Sequence, residues 1–383
     1  MRIFTVFGTR PEAIKMCPLV MEFKKRKEIE CIVCLTGQHR EMLKQVMDTF
    51  SIREDYNLDI MENRQTLTSI TTSILKEIEP ILQVERPDVV LVHGDTTTSY
   101  AAALAAFYQQ IPVGHVEAGL RTGNMYSPFP EEMNRLLTDR ISTYYFAPTE
   151  TNRRNLQKEG ITDNVFVTGN TVIDAFAYTV SEEYHFHNRK LAELLDGKLA
   201  VSNGNKTIDN SSDRIILVTA HRRENLGEPL RNICRAIARL AKENRALIFV
   251  YPVHLNPTVS ETVYRLLGDI SNVLLIDPID VLDMHNLLSR CFMVMTDSGG
   301  LQEEAPSFGK PVLVLRTETE RPEAVEAGTV RVVGVEERAI YEAAKELLED
   351  SKVYEAMSLA VNPYGDGHAS KRIVDVLERL PRK

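Results

Sequence analysis

Short β-prone runs alternate with amphipathic helical stretches along most of this 383-residue chain, and that alternation restricts the fold more than any single motif does. The runs at 2–8, 29–35, 88–93, 112–116, 144–148 and 165–168 are rich in Val, Ile, Phe and Tyr and have the length of strands. Segments such as 66–84 lie between them and carry apolar residues at helical spacing. Strand, helix, strand is the signature of a parallel, doubly wound sheet, because parallel neighbours need a crossover and a helix supplies it. A polar loop at about 184–213, with Ser202-Asn203-Gly204-Asn205 and Asn210-Ser211-Ser212-Asp213, interrupts the series. The alternation restarts through 214–219, 247–251, 273–277, 292–296, 311–315 and 330–333. Two α/β domains of one class are expected, and a chain this long can give each its own core. Ligands of such sheets bind outside the carboxyl ends of the strands, so two facing sheets would receive a substrate in the cleft between them.

Composition removes several function classes. The formal charge of −9 argues against a nucleic-acid partner, since phosphate backbones are met by basic surfaces, so any phosphate site must be a local cationic pocket. No stretch reads as a membrane span. The opening Met1-Arg2-Ile3-Phe4-Thr5-Val6-Phe7-Gly8 is too short and too soon interrupted for a signal peptide, which predicts a cytoplasmic protein without membrane attachment. The five cysteines, at 17, 31, 34, 234 and 291, sit in apolar surroundings as reduced, buried thiols do. Cys31 and Cys34 form a CxxC inside a strand, with no second CxxC or His pair, so no metal site is expected.

The chemistry-bearing residues fall at the predicted strand ends. Thr296-Asp297-Ser298-Gly299-Gly300-Leu301-Gln302-Glu303-Glu304 follows an apolar run and opens a helix. Backbone N–H groups left free by Ser298, Gly299 and Gly300 at a helix N-terminus favour an anion. Glu304, one turn further in, stands where a carboxylate accepts from ribose hydroxyls, and Arg316 and Arg321 add positive charge. A tight turn into a helix would explain the glycines alone, but not the glutamate and arginines; the ligand indicated is a nucleoside diphosphate. Gly8-Thr9-Arg10-Pro11-Glu12-Ala13-Ile14-Lys15 ends the first strand and starts a helix, with Pro11 in its first turn. Lys15 taken alone reads as a solvated surface charge. Asp95, in His93-Gly94-Asp95-Thr96, is as easily an N-cap as a catalyst. Glu117, between a strand end and Gly119, is harder to dismiss as surface. Glu131 follows Pro130 in a helical first turn, with Arg135 four residues on as its natural salt-bridge partner. His221, beside Arg222 and Arg223, suits a diphosphate oxygen, whereas His254 reads as a weaker companion.

The motifs GTRPEAIKM, TGQHREML, HGDTTTS, HVEAGLRT, PEEMNR, TAHRREN, YPVH, DSGGLQEEAP, TERPEAVEAGT and NPYGDGHAS, in that order over essentially the whole chain, resemble the non-hydrolysing UDP-N-acetylglucosamine 2-epimerases. The resemblance implies two Rossmann-like doubly wound domains of the glycosyltransferase-B kind, here 1–172 and 173–362, with a C-terminal helix in 363–383 that crosses back to the first. It implies reversible interconversion of UDP-GlcNAc and UDP-ManNAc by loss of UDP to 2-acetamidoglucal and its re-addition, without a redox cofactor or metal, in a homodimer that supplies sugars for cell-surface polysaccharide. Asp95, Glu117 and Glu131 would share proton transfer and stabilisation of the cationic sugar, with His221 on the leaving group. Arg10, Lys15, Arg135, Ile279, Ser298, Gly299, Gly300, Glu304 and Arg321 would bind the nucleotide sugar. Bacterial members also bind a second UDP-GlcNAc as activator, through residues matching Gln38, Arg64, Arg222 and His254. Glu41 stands where many activated relatives carry Gln, which implies a weaker activator site. The alternatives are a 2-epimerase of another UDP-2-acetamido sugar and a UDP-sugar glycosyltransferase of the same fold.

Overall fold

A computed structural model describes residues 1–37, 40–61, 65–199 and 214–380. The chain divides into two compact units, Met1–Tyr178 with Tyr364–Lys383, and Thr179–Pro363. The division falls between Tyr178 and Thr179, a few residues beyond position 172 and before the last residue of the helix Thr171–Thr179.

The first unit is built on seven parallel strands: β1 (Arg2–Phe7), β2 (Glu30–Leu35), β3 (Tyr56–Asn57), β4 (Val89–His93), β5 (Val113–Val116), β6 (Tyr144–Ala147) and β7 (Val165–Val167). Their spatial order is β3-β2-β1-β4-β5-β6-β7. The two-residue β3 is too short to leave a periodic signal in the sequence. The helix Leu67–Glu85 is capped by Thr66, whose side chain accepts from the Ser69 N–H. The central strands are mostly apolar, and Phe4, Val6, Val90 and Val92 are fully buried, as expected of a parallel sheet covered on both faces. The helix Ala369–Glu378 completes this unit against Arg10–Lys24.

The second unit has six parallel strands: β8 (Arg214–Thr219), β9 (Leu247–Pro252), β10 (Val273–Ile276), β11 (Met293–Thr296), β12 (Val312–Val314) and β13 (Val330–Val332). Their order, β10-β9-β8-β11-β12-β13, repeats the order of the first six strands of the other sheet. In each unit the direction of winding reverses between two central strands, β1 and β4 or β8 and β11, and the carboxyl ends at such a reversal are where open α/β sheets bind their ligands.

The expected polar loop at 184–213 is only partly a loop. Residues Arg189–Leu199 form a helix, seated by the buried Leu191 and Leu195, one turn apart on one face. Its approach is fixed by Asp283, whose carboxylate accepts from the Tyr184 hydroxyl (2.8 Å) and the backbone N–H groups of His187 and Asn188 (2.9 and 2.8 Å). The Ser/Asn-rich stretches within 200–213 lie outside the described residues. All five cysteines are free, and burial pushes the Cys31 and Cys34 thiols up to about 12. Among the described residues no helix is long and apolar enough to cross a membrane.

Candidate active site

In the first unit the switch point gathers the motifs that end β1, β4 and β5. Arg10 opens the helix Arg10–Lys24, and Thr9 and Glu12 form its capping box. Glu12 does more than cap. Its Oε2 accepts from the Gly8 and Thr9 N–H groups (3.0 and 2.8 Å) and the Thr9 hydroxyl (2.8 Å), and its Oε1 from the hydroxyls of Thr96 (2.6 Å) and Ser99 (3.0 Å). This buried carboxylate thereby ties the turn bearing Arg10 to the turn bearing Asp95. The T-x-x-E spacing carried that signal in the sequence.

Asp95 follows β4 through Gly94, and its Oδ2 accepts from Arg135 Nη2 at 2.5 Å. Arg135 Nη1 donates to Glu132 Oε2 at 2.9 Å. The pairing of Arg135 with Glu131 expected from sequence is replaced by these two contacts, because Asp95 draws the guanidinium across to β4 and Glu132 is the nearer helical neighbour. Glu131, the first residue of the helix Glu131–Ile141, is left with a buried Oε2 that has no hydrogen-bond partner among the described residues.

Glu117 sits just past β5 with φ +70°, a left-handed conformation that strains a residue with a side chain by about 1–3 kcal/mol. Its Oε1 accepts from Lys15 Nζ and from Asn170 Nδ2, the latter at 3.0 Å. Its Oε2 lies 3.7 Å from Nε2 of His93. Burial lowers His93 to about 3, so the ring is neutral and brings Glu117 no charge. Gly94, at φ +64°, makes room for this carboxylate, since a Cβ there would stand 3.1 Å from Glu117 Oε2. Lys15 is therefore the partner of Glu117, not the solvated surface charge it resembles in isolation.

In the second unit β8 leads to His221 and β11 to Asp297. Asp297 is fully buried; its Oδ2 accepts from the backbone N–H groups of His221 (2.7 Å) and Arg222 (2.8 Å) and from Asn225 Nδ2 (2.9 Å). Its Oδ1 lies 3.4 Å from His221 Nδ1. The His221 ring stacks on His254 with centroids 5.3 Å apart and planes within 2°. Burial lowers the His221 pKa, against the pull of Asp297, so the ring is neutral at pH 7. Sequence reading passed over Asp297 because an aspartate before Ser-Gly-Gly looks like part of the turn.

Ser298 caps the short helix Gly299–Glu304 without a side-chain cap bond. Gly299 lets a side chain approach closely: a Cβ there would lie 2.7 Å from Cζ of Arg321, so the guanidinium rests against the bare turn. Arg321 Nε donates to Glu303 Oε1 at 2.7 Å, and Arg316 Nη1 to Glu320 Oε2 at 2.8 Å. Despite burial, Arg316 and Arg321 bring the Glu320 carboxyl down to about 2. Glu304 Oε2 lies 3.6 Å from Nε2 of the buried His285, and Ile279 is buried beyond β10. Of the four residues expected at an activator site, Arg222 and His254 flank His221 in this unit, while Gln38 and Arg64 lie outside the described residues.

One further cluster, His187 with Asp280 and Asp283, brings ligand-type atoms within 4.8 Å of one another. Those atoms are already engaged: His187 Nδ1 lies 2.7 Å from Asp280 Oδ2, and Asp280 Oδ1 accepts from the Asp283 N–H. The cluster anchors the segment before Arg189–Leu199.

The family profile described as UDP-N-acetylglucosamine 2-epimerase matches residues 21–378. The UDP-N-acetylglucosamine 2-epimerase of Bacillus subtilis is 53% identical over 378 residues, covering 98% of this chain and 95% of its own. The crystal structure of the Neisseria meningitidis UDP-GlcNAc 2-epimerase bound to UDP-GlcNAc superposes with a TM-score of 0.86 at 50% identity, covering 99% of this chain and all (100%) of that one. A glycotransferase of kitacinnamycin, at 15% identity and a TM-score of 0.59, shares the fold alone over 99% of each chain. Similarity this deep, sustained along both units, leaves one assignment: the chain belongs to the UDP-N-acetylglucosamine 2-epimerase family.

Proposed function

We propose that this protein interconverts UDP-GlcNAc and UDP-ManNAc by elimination and re-addition of UDP. The observation that carries the reading is the grouping of Asp95 and Glu117, each partnered by a cation, at one switch point with Glu131 on the helix that supplies Arg135. A glycosyltransferase needs an acceptor site and no such set. The proton on C2 of the sugar has no neighbouring carbonyl to acidify it, so C1 must first become cationic. The C1–O bond breaks and UDP departs with the electron pair, stabilised by Arg10, His221, Arg321 and the amides of Ser298, Gly299 and Gly300. Loss of the C2 proton to a carboxylate gives 2-acetamidoglucal. A second carboxyl group, in its acid form, donates its proton to the opposite face of C2 and is left ionised, UDP re-forms its bond to C1, and the remaining carboxylate opposes the positive charge between the two steps. Glu304 and Ile279 hold the ribose and uracil. The stereocentre is inverted without net oxidation, so no redox cofactor takes part.

In deuterated water, UDP-GlcNAc should gain deuterium at C2 in both epimers, and an oxygen label in the C1–O–P bridge should scramble into the diphosphate. Deuterium gain without scrambling would sink the elimination route, and no exchange with any UDP-2-acetamido sugar would sink the epimerase reading. The family resemblance also supports a homodimer, which light scattering checks, and activation by a second UDP-GlcNAc through Gln38, Arg64, Arg222 and His254. Activation requires that UDP-ManNAc alone react with a lag that a trace of UDP-GlcNAc abolishes, and that Glu41→Gln respond to less of it; a linear time course argues against it.

A further inference from the structure

His115 is fully buried in the middle of the first sheet, and both of its ring nitrogens are engaged. Nε2 lies 2.8 Å from the carbonyl oxygen of Gly94, which can only accept, so Nε2 carries a proton. Nδ1 lies 2.6 Å from Oδ1 of Asp139, itself fully buried. The other oxygen of Asp139 accepts from Arg121 Nη2 at 2.7 Å and from the Gly119 N–H at 3.3 Å. Arg121 in turn donates to both oxygens of Glu159, at 2.7 and 2.9 Å. With Asp139 ionised, Nδ1 must donate as well, and the chain His115, Asp139, Arg121, Glu159 alternates positive and negative with no net charge. That alternation makes a buried imidazolium tolerable, since the desolvation cost of a buried charge is offset when it is paired and fully hydrogen-bonded.

The three attachment points explain what such a group does. Gly94 immediately precedes Asp95; Gly119 lies two residues after Glu117; Asp139 belongs to the helix Glu131–Ile141, which begins at Glu131. We propose that His115 is a positioning residue for the epimerisation: a buried imidazolium, locked between the Gly94 carbonyl and Asp139, that sets the spacing of the elements bearing Asp95, Glu117 and Glu131. Its catalytic part rests on the epimerase reading; its charge state does not. Burial pushes the Asp139 carboxyl up, yet His115 and Arg121 together bring it below the ordinary range, in keeping with the ionised form the hydrogen bonds require.

Histidine-selective 15N labelling of the full-length protein tests the lock directly. Of the nine histidines, one should show two slowly exchanging one-bond N–H correlations, and both should vanish in His115→Gln. A single N–H for that ring would mean a neutral imidazole accepting a proton from Asp139, and would overturn the proposal. The variants divide the two contacts, because the Asn amide reaches the place of Nδ1 and the Gln amide the place of Nε2. His115→Asn and His115→Gln should each lower kcat by about a hundredfold, the scale of a 1 Å misplacement of catalytic groups. KM for UDP-GlcNAc and Kd for UDP should stay within about threefold, because uniform binding is not what the lock provides. Near-normal kcat in either folded variant would overturn the positioning role. If neither variant folds, the wild-type doublet of N–H signals, with Asp139→Asn as the assigning variant, still decides the charge state. A wild type that shows the doublet but no C2 exchange would overturn the epimerase reading and leave the lock standing.

Discussion

At the scale of single residues, Asp95 and Glu117 on one side and His221 on the other are set in opposite ways. Asp95 and Glu117 meet cations, whereas His221 is kept neutral by burial against His254 while Asp297 holds its backbone. A dianionic diphosphate arriving at His221 raises its proton affinity. UDP binding near neutral pH should therefore take up protons, seen by calorimetry as a dependence of the binding enthalpy on buffer ionisation, and His221→Asn should abolish the dependence. Equal buffer slopes in the two proteins would remove His221 from the diphosphate. The same substitution should cost turnover far more than UDP affinity, about 3–4 kcal/mol in the barrier, since a donor aimed at developing charge acts chiefly in the transition state. Matching losses in both would make His221 a plain ligand.

At the scale of elements, the site is a set of strand-to-helix turns made close enough by missing side chains. Gly299 lets Arg321 lie against the turn, and a methyl group there must push the guanidinium away by the space of a Cβ now 2.7 Å from Cζ. Gly299→Ala should weaken UDP binding by about tenfold, the scale of one charge-assisted contact, with little change in thermal stability. Unchanged UDP affinity would place Arg321 outside the ligand site. A second junction involves the chain's return to the first unit. Asp174, in the helix Thr171–Thr179, accepts from the N–H groups of Ala369 (3.1 Å) and Ser370 (2.7 Å), so it caps the helix Ala369–Glu378 from a distance. Asp174→Ala should cost about 1 kcal/mol in denaturant unfolding of that unit, the usual worth of a cap, and a null effect would show that the packing of the helix suffices.

At the scale of the whole molecule, two sheets of the same winding order come from one alternating pattern repeated along the chain. Every predicted strand run of both halves became a strand to within a residue or so at its ends, because a run buried on both faces must be apolar throughout and turns must follow it. The short β3 and the helix Arg189–Leu199 escaped notice, the first for want of length, the second because polar residues outnumber the two leucines that seat it. Residue types at strand ends were legible for the same local reason: Arg10, Asp95, Glu117, His221 and Ser298 each follow an apolar run. Their partners were not. That Arg135 chooses Asp95 and Glu132, that Lys15 reaches Glu117, and that Glu12, His115 and Asp297 bind separate turns together depends on contacts across 3 to 102 positions of sequence. The sequence by itself determined the class of fold and which side chains stand at the ends of strands, since both follow from local periodicity. Only the tertiary structure decided which charges meet, because a parallel sheet brings together strand ends that the chain keeps a whole crossover apart.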